Sequence, residues 1–321
     1  MDRRSFLAAS AVVFAGCGQQ PSTETSTPTE TATQAPTETA TDTPTETATG
    51  TPTETETPEL NDREQRAARA LDRAITELTQ AVATYAGASG DSVVDVSAAT
   101  TSFSRVAVVA AISDADDHIE RARTTASGRQ QPRLAAVVDA REFLSLSTEV
   151  QRRVIAAFEE LQRARDAVDD EQEGTIESAT RELRSQRDRA DDSLTDLVDG
   201  TSAETVSVVP AIPSADYEAK VAQFGAEIDG FGSLADFLNR LLAAVVDLNA
   251  AERFDRVESE RMARERARQA AEAFEALTTE LREFVSTLPE GGAALEAPST
   301  DLADIAESKA AKARELEEDN S

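Results

Sequence analysis

The sequence predicts an all-α fold, an elongated antiparallel helical bundle carried behind a disordered stalk. Three observations lead there. Beyond position 59, apolar residues recur at steps of three and four over long windows. No stretch joins strict alternation to enough β-branched residues for a sheet. Residues 21–58 are Thr, Pro, Glu and Ala almost without exception, so they have nothing to bury.

The stalk repeats "PTETAT" from Pro28, Pro36 and Pro44 and "PTETET" from Pro52. Regular prolines and like charges favour extended backbone, which reaches on the order of 100 Å from Pro21 to Pro58. Ser/Thr/Pro-rich sequence of this kind is either an O-glycosylated stalk or a bare tether. Asn61, Asn239, Asn249 and Asn320 all lack the N-glycosylation pattern.

The first helix is expected over about 60–86, on Leu71, Ile75, Leu78, Val82 and Tyr85, with Asn61 or Asp62 as its cap and Gly87 at its end. Gly90–Ser102 reads as an irregular connector. A second helix follows near Phe103–Ala126, with Phe103, Val106, Ala110 and Ile119 inward. Pro132 suits the first turn of a third helix running to about Asp170, roughly 60 Å long. Its seam is Phe143, Leu146, Val150, Val154, Ala157, Leu161, Ala164 and Val168. A fourth, from Gly174 to Gly200, uses Ile176, Leu183, Ala190, Leu194 and Leu197, with Gln186 and Arg187 interrupting the stripe.

"TSAETVSVVPAIP", residues 201–213, reads as a linker between two halves, 59–200 and 214–321. A fifth helix is expected over about Ser214–Leu248, kinked at Gly230–Gly232, and a sixth over Ala250–Leu288 with a charged centre, "ESERMARERARQ". A short amphipathic helix near Thr300–Glu317 closes the chain. Such lengths and short links predict antiparallel bundles with coiled-coil-like seams. No 34- or 40-residue self-similarity supports a solenoid.

Charge limits the partners. Among 321 residues, 61 acids face 32 Lys and Arg, for a net charge of −29. Lys220, Lys309 and Lys312 are the only lysines. Such a surface excludes nucleic acid, which needs cations to displace its counterions. It also repels itself unless salt screens it. Acid excess with scarce lysine resembles proteins of extreme halophiles; an acidic mesophilic protein from a GC-rich genome shares the bias.

The N-terminus holds the one cysteine. Arg3 and Arg4 precede an apolar run of about a dozen residues, too short to span a bilayer, and the run ends in "FAGC" at Cys17. "RRSFL" resembles the twin-arginine export motif, though Asp2 and Ala8 depart from its usual residues. "FAGC" resembles a lipobox, with Phe14 where leucine is common. Residues 1–20 thus resemble the signal of twin-arginine-exported lipoproteins of halophilic archaea. The resemblance implies a signal peptide over 1–16, a lipid on Cys17 and anchoring at the extracytoplasmic face of the cell membrane. It covers nothing beyond residue 20.

Chemistry-bearing residues are few. His118 is the only histidine, and Asp114 lies one helical turn before it, a spacing able to hold a metal ion. Acids are so abundant that the pair is weak as a metal site, and no metal or other cofactor is expected. One histidine and one cysteine leave no nucleophilic triad independent of His118, and no phosphate-binding glycine loop is present. No catalytic residue is assigned, and the expectation is a protein that is not an enzyme. The first functional expectation is a lipid-anchored module that binds another envelope protein. The alternative is a ligand-capturing or sensory lipoprotein with a pocket between helices. A carboxylate-based hydrolase ranks third.

Overall fold

Asn61 opens the first helix with a reciprocal cap. Its Oδ1 accepts from the Arg63 and Glu64 amides at 3.0 Å, while Glu64 Oε2 accepts from the Asn61 amide at 3.1 Å. The computed structural model describes residues 60–321. The export motif, Cys17 and the stalk lie outside the described residues.

Eight α-helices are present among the described residues, with no strand. They are α1 (Asp62–Ala86), α2 (Arg105–Thr125), α3 (Gln131–Asp169), α4 (Glu173–Gly200), α5 (Ala203–Val206), α6 (Ser214–Arg256), α7 (Glu260–Thr287) and α8 (Glu296–Asp319). Helix α1 packs on α2 and α3, α4 lies against α3 and α6, and α7 lies between α6 and α8. The fold is an all-α helical bundle.

The α1 seam follows its periodicity. Leu71, Leu78, Val82 and Tyr85 are buried, and Gly87 ends the helix at φ +55°, where a side chain is disfavoured. Each large side chain buried this way contributes about 1.5–3 kcal/mol. The α3 seam also holds, with only Leu146 half-exposed.

Helix α2 corrects the expected register. Val108, Ile112, Ala115, Ile119 and Ala122 face the core, whereas Val106 and Ala110 face outward. The run "VAVVAAI" is apolar all round, so its periodicity sets no phase. Packing against α1 sets it.

The segment 201–213 is not a spacer. Val206, Val209 and Ile212 are fully buried, and the Tyr217 hydroxyl donates to the Thr201 carbonyl at 3.1 Å. One hydrophobic core continues from α1 through this segment to α8. The connector before α2 is equally anchored, through Val93, Val96 and Ala98.

The expected boundary near residue 249 also moves. Helix α6 runs unbroken for 43 residues, and the chain reverses at 257–259, inside the charged stretch. The glycines at 230 and 232 do not interrupt it. A Cβ on Gly230 would lie 2.3 Å from Leu295 Cδ1, so Gly230 lets the segment before α8 close onto α6. Gly291 does the same: its Cβ would lie 2.9 Å from Gln223 Cα.

Candidate functional site

Three features stand apart from ordinary helix packing: a sealed polar cluster, a basic groove and an exposed apolar strip.

The cluster centres on Lys220, in α6. Its side chain is wholly buried, and Nζ donates to the Val96 carbonyl (2.5 Å), Gln151 Oε1 (2.8 Å) and Gln223 Oε1 (3.0 Å). Gln151 Oε1 also accepts from the Tyr85 hydroxyl at 3.0 Å, and its Nε2 donates to the Ser97 carbonyl at 2.9 Å. Nζ stands 4.3 Å from the centre of the Phe224 ring, a cation–π contact. Two turns along α6, Glu227 is also wholly buried and accepts from the Ala98 amide at 2.8 Å; its other carboxylate oxygen has no hydrogen-bond partner.

Burial pushes the Lys220 ammonium down and the Glu227 carboxyl up, each opposed by the other's charge. Burial, with Glu227 adding to it, pushes the Tyr85 hydroxyl up, so it stays a donor. The cluster fastens the 92–98 connector to α1, α3 and α6. No periodicity marks it: in "EAKVAQF" Lys220 reads as a solvent-facing residue.

The groove lies between the first half of α1 and the last turns of α2. Arg66, Arg69, Arg73, His118, Arg121, Thr124 and Thr125 line it over the small floor of Ala70, and its volume is about 380 Å³. No carboxylate lines it. Four other surface grooves each carry at least one, Glu159 and Asp166 in one, Asp116 and Glu120 in another, Glu265 in the remaining two.

Two neighbouring acids are engaged elsewhere, Asp72 with Arg133 at 2.6 Å and Glu120 with Arg123, while Asp117 reaches Arg121 at 3.9 Å. Arg66, Arg69 and Arg73 form no ion pair among the described residues. Their spacing of three and four, visible in "RAARALDR", carried a signal that reading for apolar seams passes over.

Asp114 is exposed, and His118 Nδ1 lies 3.2 Å from Arg121 Nη1 in the arginine-lined groove. No group of three or more metal-ligating side chains occurs among the described residues. Cys17, Arg3 and Arg4 lie outside them.

The apolar strip occupies the first turns of α2. Val106 is 78% exposed and Val109 45%, with Ala107 and Ala110 exposed beside them. No described helix is long and apolar enough to cross a membrane. Comparison with known protein families, with curated proteins and with solved structures finds no match to this chain.

Proposed function

We propose that this is a lipid-anchored protein of the extracytoplasmic membrane face, whose helical body binds another envelope protein. The likeness of "RRSFL" to an export motif and of "FAGC" to a lipobox at Cys17 supports the location. The observation that carries the binding role is the α2 strip of Val106, Ala107, Val109 and Ala110. Apolar side chains gathered on one face and left in water cost free energy that burial against a partner recovers. Nothing in the bundle's own packing requires them, because α2 meets its neighbours through Val108, Ile112, Ala115 and Ile119.

A photo-crosslinking residue at Val106, in cells, tests this. The expected result is one discrete adduct, absent with the probe at Asp188 on the exposed face of α4 and lost in a Val109→Glu background. Equal crosslinking from both positions would overturn it. Cys17→Ser tests the anchor: the variant should leave the membrane fraction or remain unprocessed. Unchanged fractionation and migration would remove the lipid from the proposal. The alternative of a ligand-capturing lipoprotein draws on the basic groove. The hydrolase reading draws nothing from Glu227, because that carboxyl is sealed within the core.

A further inference from the structure

We infer that the α1–α2 groove is a binding site for a compact oxyanion carrying at least two charged groups, phosphate or carboxylate. The inference is independent of the α2 strip, which lies on the first turns of that helix.

In a chain of net charge −29, Arg66, Arg69 and Arg73 stand on one face of α1, and Arg121 and His118 stand on α2 across from them. Like charges on one face repel, so the arrangement opposes folding by a few tenths of a kcal/mol per pair. Two nearby acids are bound elsewhere, Asp72 by Arg133 and Glu120 by Arg123, and Asp117 reaches Arg121 at 3.9 Å; Asp62 and Glu77, one turn from Arg66 and Arg73, form no ion pair with them among the described residues.

Residue chemistry selects the ligand class. Each guanidinium presents a planar fork of donors that matches two oxygens of a carboxylate or phosphate. That match persists when salt has screened bare charge, whereas chloride meets the fork with a single point. Arg66 to Arg73 spans about 10 Å of helix, so one singly charged group cannot engage both ends. The Thr124 and Thr125 hydroxyls in the lining both donate to the Arg121 carbonyl and His118 Nδ1 faces Arg121, so these groups are engaged with the groove's own wall and the reading is of a binding site.

Size sets the upper bound. About 380 Å³ is at the small end of ligand pockets. A longer polyanion would run off the groove onto exposed acids such as Asp62, Asp72 and Glu120. The ligand is therefore a small molecule, or the terminal headgroup of something larger.

Calorimetric titration of the full chain in high KCl tests the site, with pyrophosphate, citrate and acetate as probes. Pyrophosphate or citrate should bind saturably at one site, and acetate should not. Arg66→Gln/Arg73→Gln should weaken binding by about tenfold or more. Arg189→Gln/Arg253→Gln, which removes the same charge from arginines outside the groove, should leave it unchanged. Arg69→Lys keeps the charge and loses the fork, so it should weaken binding without altering the melting temperature. Vesicles displaying phosphate-monoester headgroups identify the source: groove-dependent binding to them assigns a headgroup, and binding of the free probes alone assigns a soluble ligand. Absence of saturable binding by both pyrophosphate and citrate, or an equal loss in the two double variants, would overturn the inference.

Discussion

Glu171 and Glu258 hold the same backbone conformation, φ +57° and +58°, at equivalent points of two helical hairpins. Glu171 closes the α3–α4 turn, where the Gln172 amide donates to the Ala167 carbonyl at 2.8 Å; Glu258 closes the α6–α7 turn, where the Ser259 amide donates to Phe254 at 2.9 Å. Both turns are Schellman closures, and both carry glutamate where glycine is the usual residue. Their side chains differ. Glu171 Oε1 lies 2.8 Å from both Lys309 Nζ and Lys312 Nζ, whereas Glu258 is exposed and makes no ion pair among the described residues. Glu258→Gly should therefore stabilise the body by about 0.5–1 kcal/mol through relief of backbone strain. Glu171→Gly should destabilise it, because the same relief is outweighed by loss of the carboxylate that Lys309 and Lys312 share. Denaturant unfolding at fixed salt gives both signs, and equal shifts would refute the account of Glu171.

The same carboxylate should be visible in acid. Burial opposes its ionisation, but hydrogen bonds and charge from Lys309 and Lys312 prevail and hold its pKa below the ordinary value of 4.5. A depressed carboxyl contributes stability above its unfolded pKa and loses it as pH falls through the folded one. Glu171→Gln should lower the melting temperature at neutral pH, and the gap to the parent should narrow below about pH 4.5. A gap that persists unchanged into acid would assign the loss to packing alone.

The Lys220 cluster has the opposite sign. Glu227 is pushed up from 4.5 to about 7, so across that window the folded state holds a proton the unfolded chain releases, and stability falls as pH rises. Lys220 is pushed down from 10.5 to about 7, so above neutrality the unfolded chain holds the extra proton and stability rises. The pair therefore contributes least near neutral pH. Lys220→Met alone leaves Glu227 buried without its counter-charge and should cost about 3 kcal/mol. Lys220→Met/Glu227→Gln should recover part of this, and its stability relative to the parent should peak near neutrality by on the order of 1–3 kcal/mol. A difference that is flat from about pH 5 to 9 would show that the two groups do not titrate as the burial requires.

Two glycines of α6 offer an internal control. A Cβ on Gly225 meets nothing within 4 Å, while one on Gly230 meets Leu295 Cδ1 at 2.3 Å. Gly225→Ala should gain about 0.5–1 kcal/mol of helix propensity. Gly230→Ala should lose about 1–2 kcal/mol, because fully buried Leu295 has little room to move. Equal gains at both positions would mean that the 290–295 segment packs less closely than described.

Salt should move the whole molecule. With net charge −29, screening lowers self-repulsion, so the melting temperature of the full chain should climb steeply from low to molar KCl. Surface ion pairs work against that trend, but exposed pairs contribute only about 0–1 kcal/mol each. A melting temperature independent of KCl would count against the halophilic reading of the composition.

Helix positions were legible wherever one stripe was apolar and the ends carried caps. Asn61, Gly87 and Pro132 stand where the local chemistry predicted. The phase of α2 was not legible, because "VAVVAAI" has no polar side to orient it. The α6–α7 reversal was not legible either, since Glu258 takes a backbone conformation that its side chain does not advertise. Val206, Val209 and Ile212 looked like a β-branched spacer and are core, which only their tertiary contacts decide. Of the candidate site, His118 was legible only as half of a weak pair with Asp114. Its neighbours across the groove belong to another helix, and no local pattern brings Arg66 and Arg73 to it.

The engagement of all three lysines leaves the body with almost no free amine chemistry. Lys220 is sealed in the core, and the Lys309 side chain is 12% exposed against Glu171, so Lys312, at 43%, is the one lysine within easy reach of an electrophile. It bridges Glu171 to Glu252 of α6, at 2.8 and 2.6 Å. Acylation there would cancel the charge that both carboxylates share and loosen the turn on which α3, α4, α6 and α8 converge. An amine-directed label would thus enter this acidic body at one point, and that point would report whether the hairpin is closed.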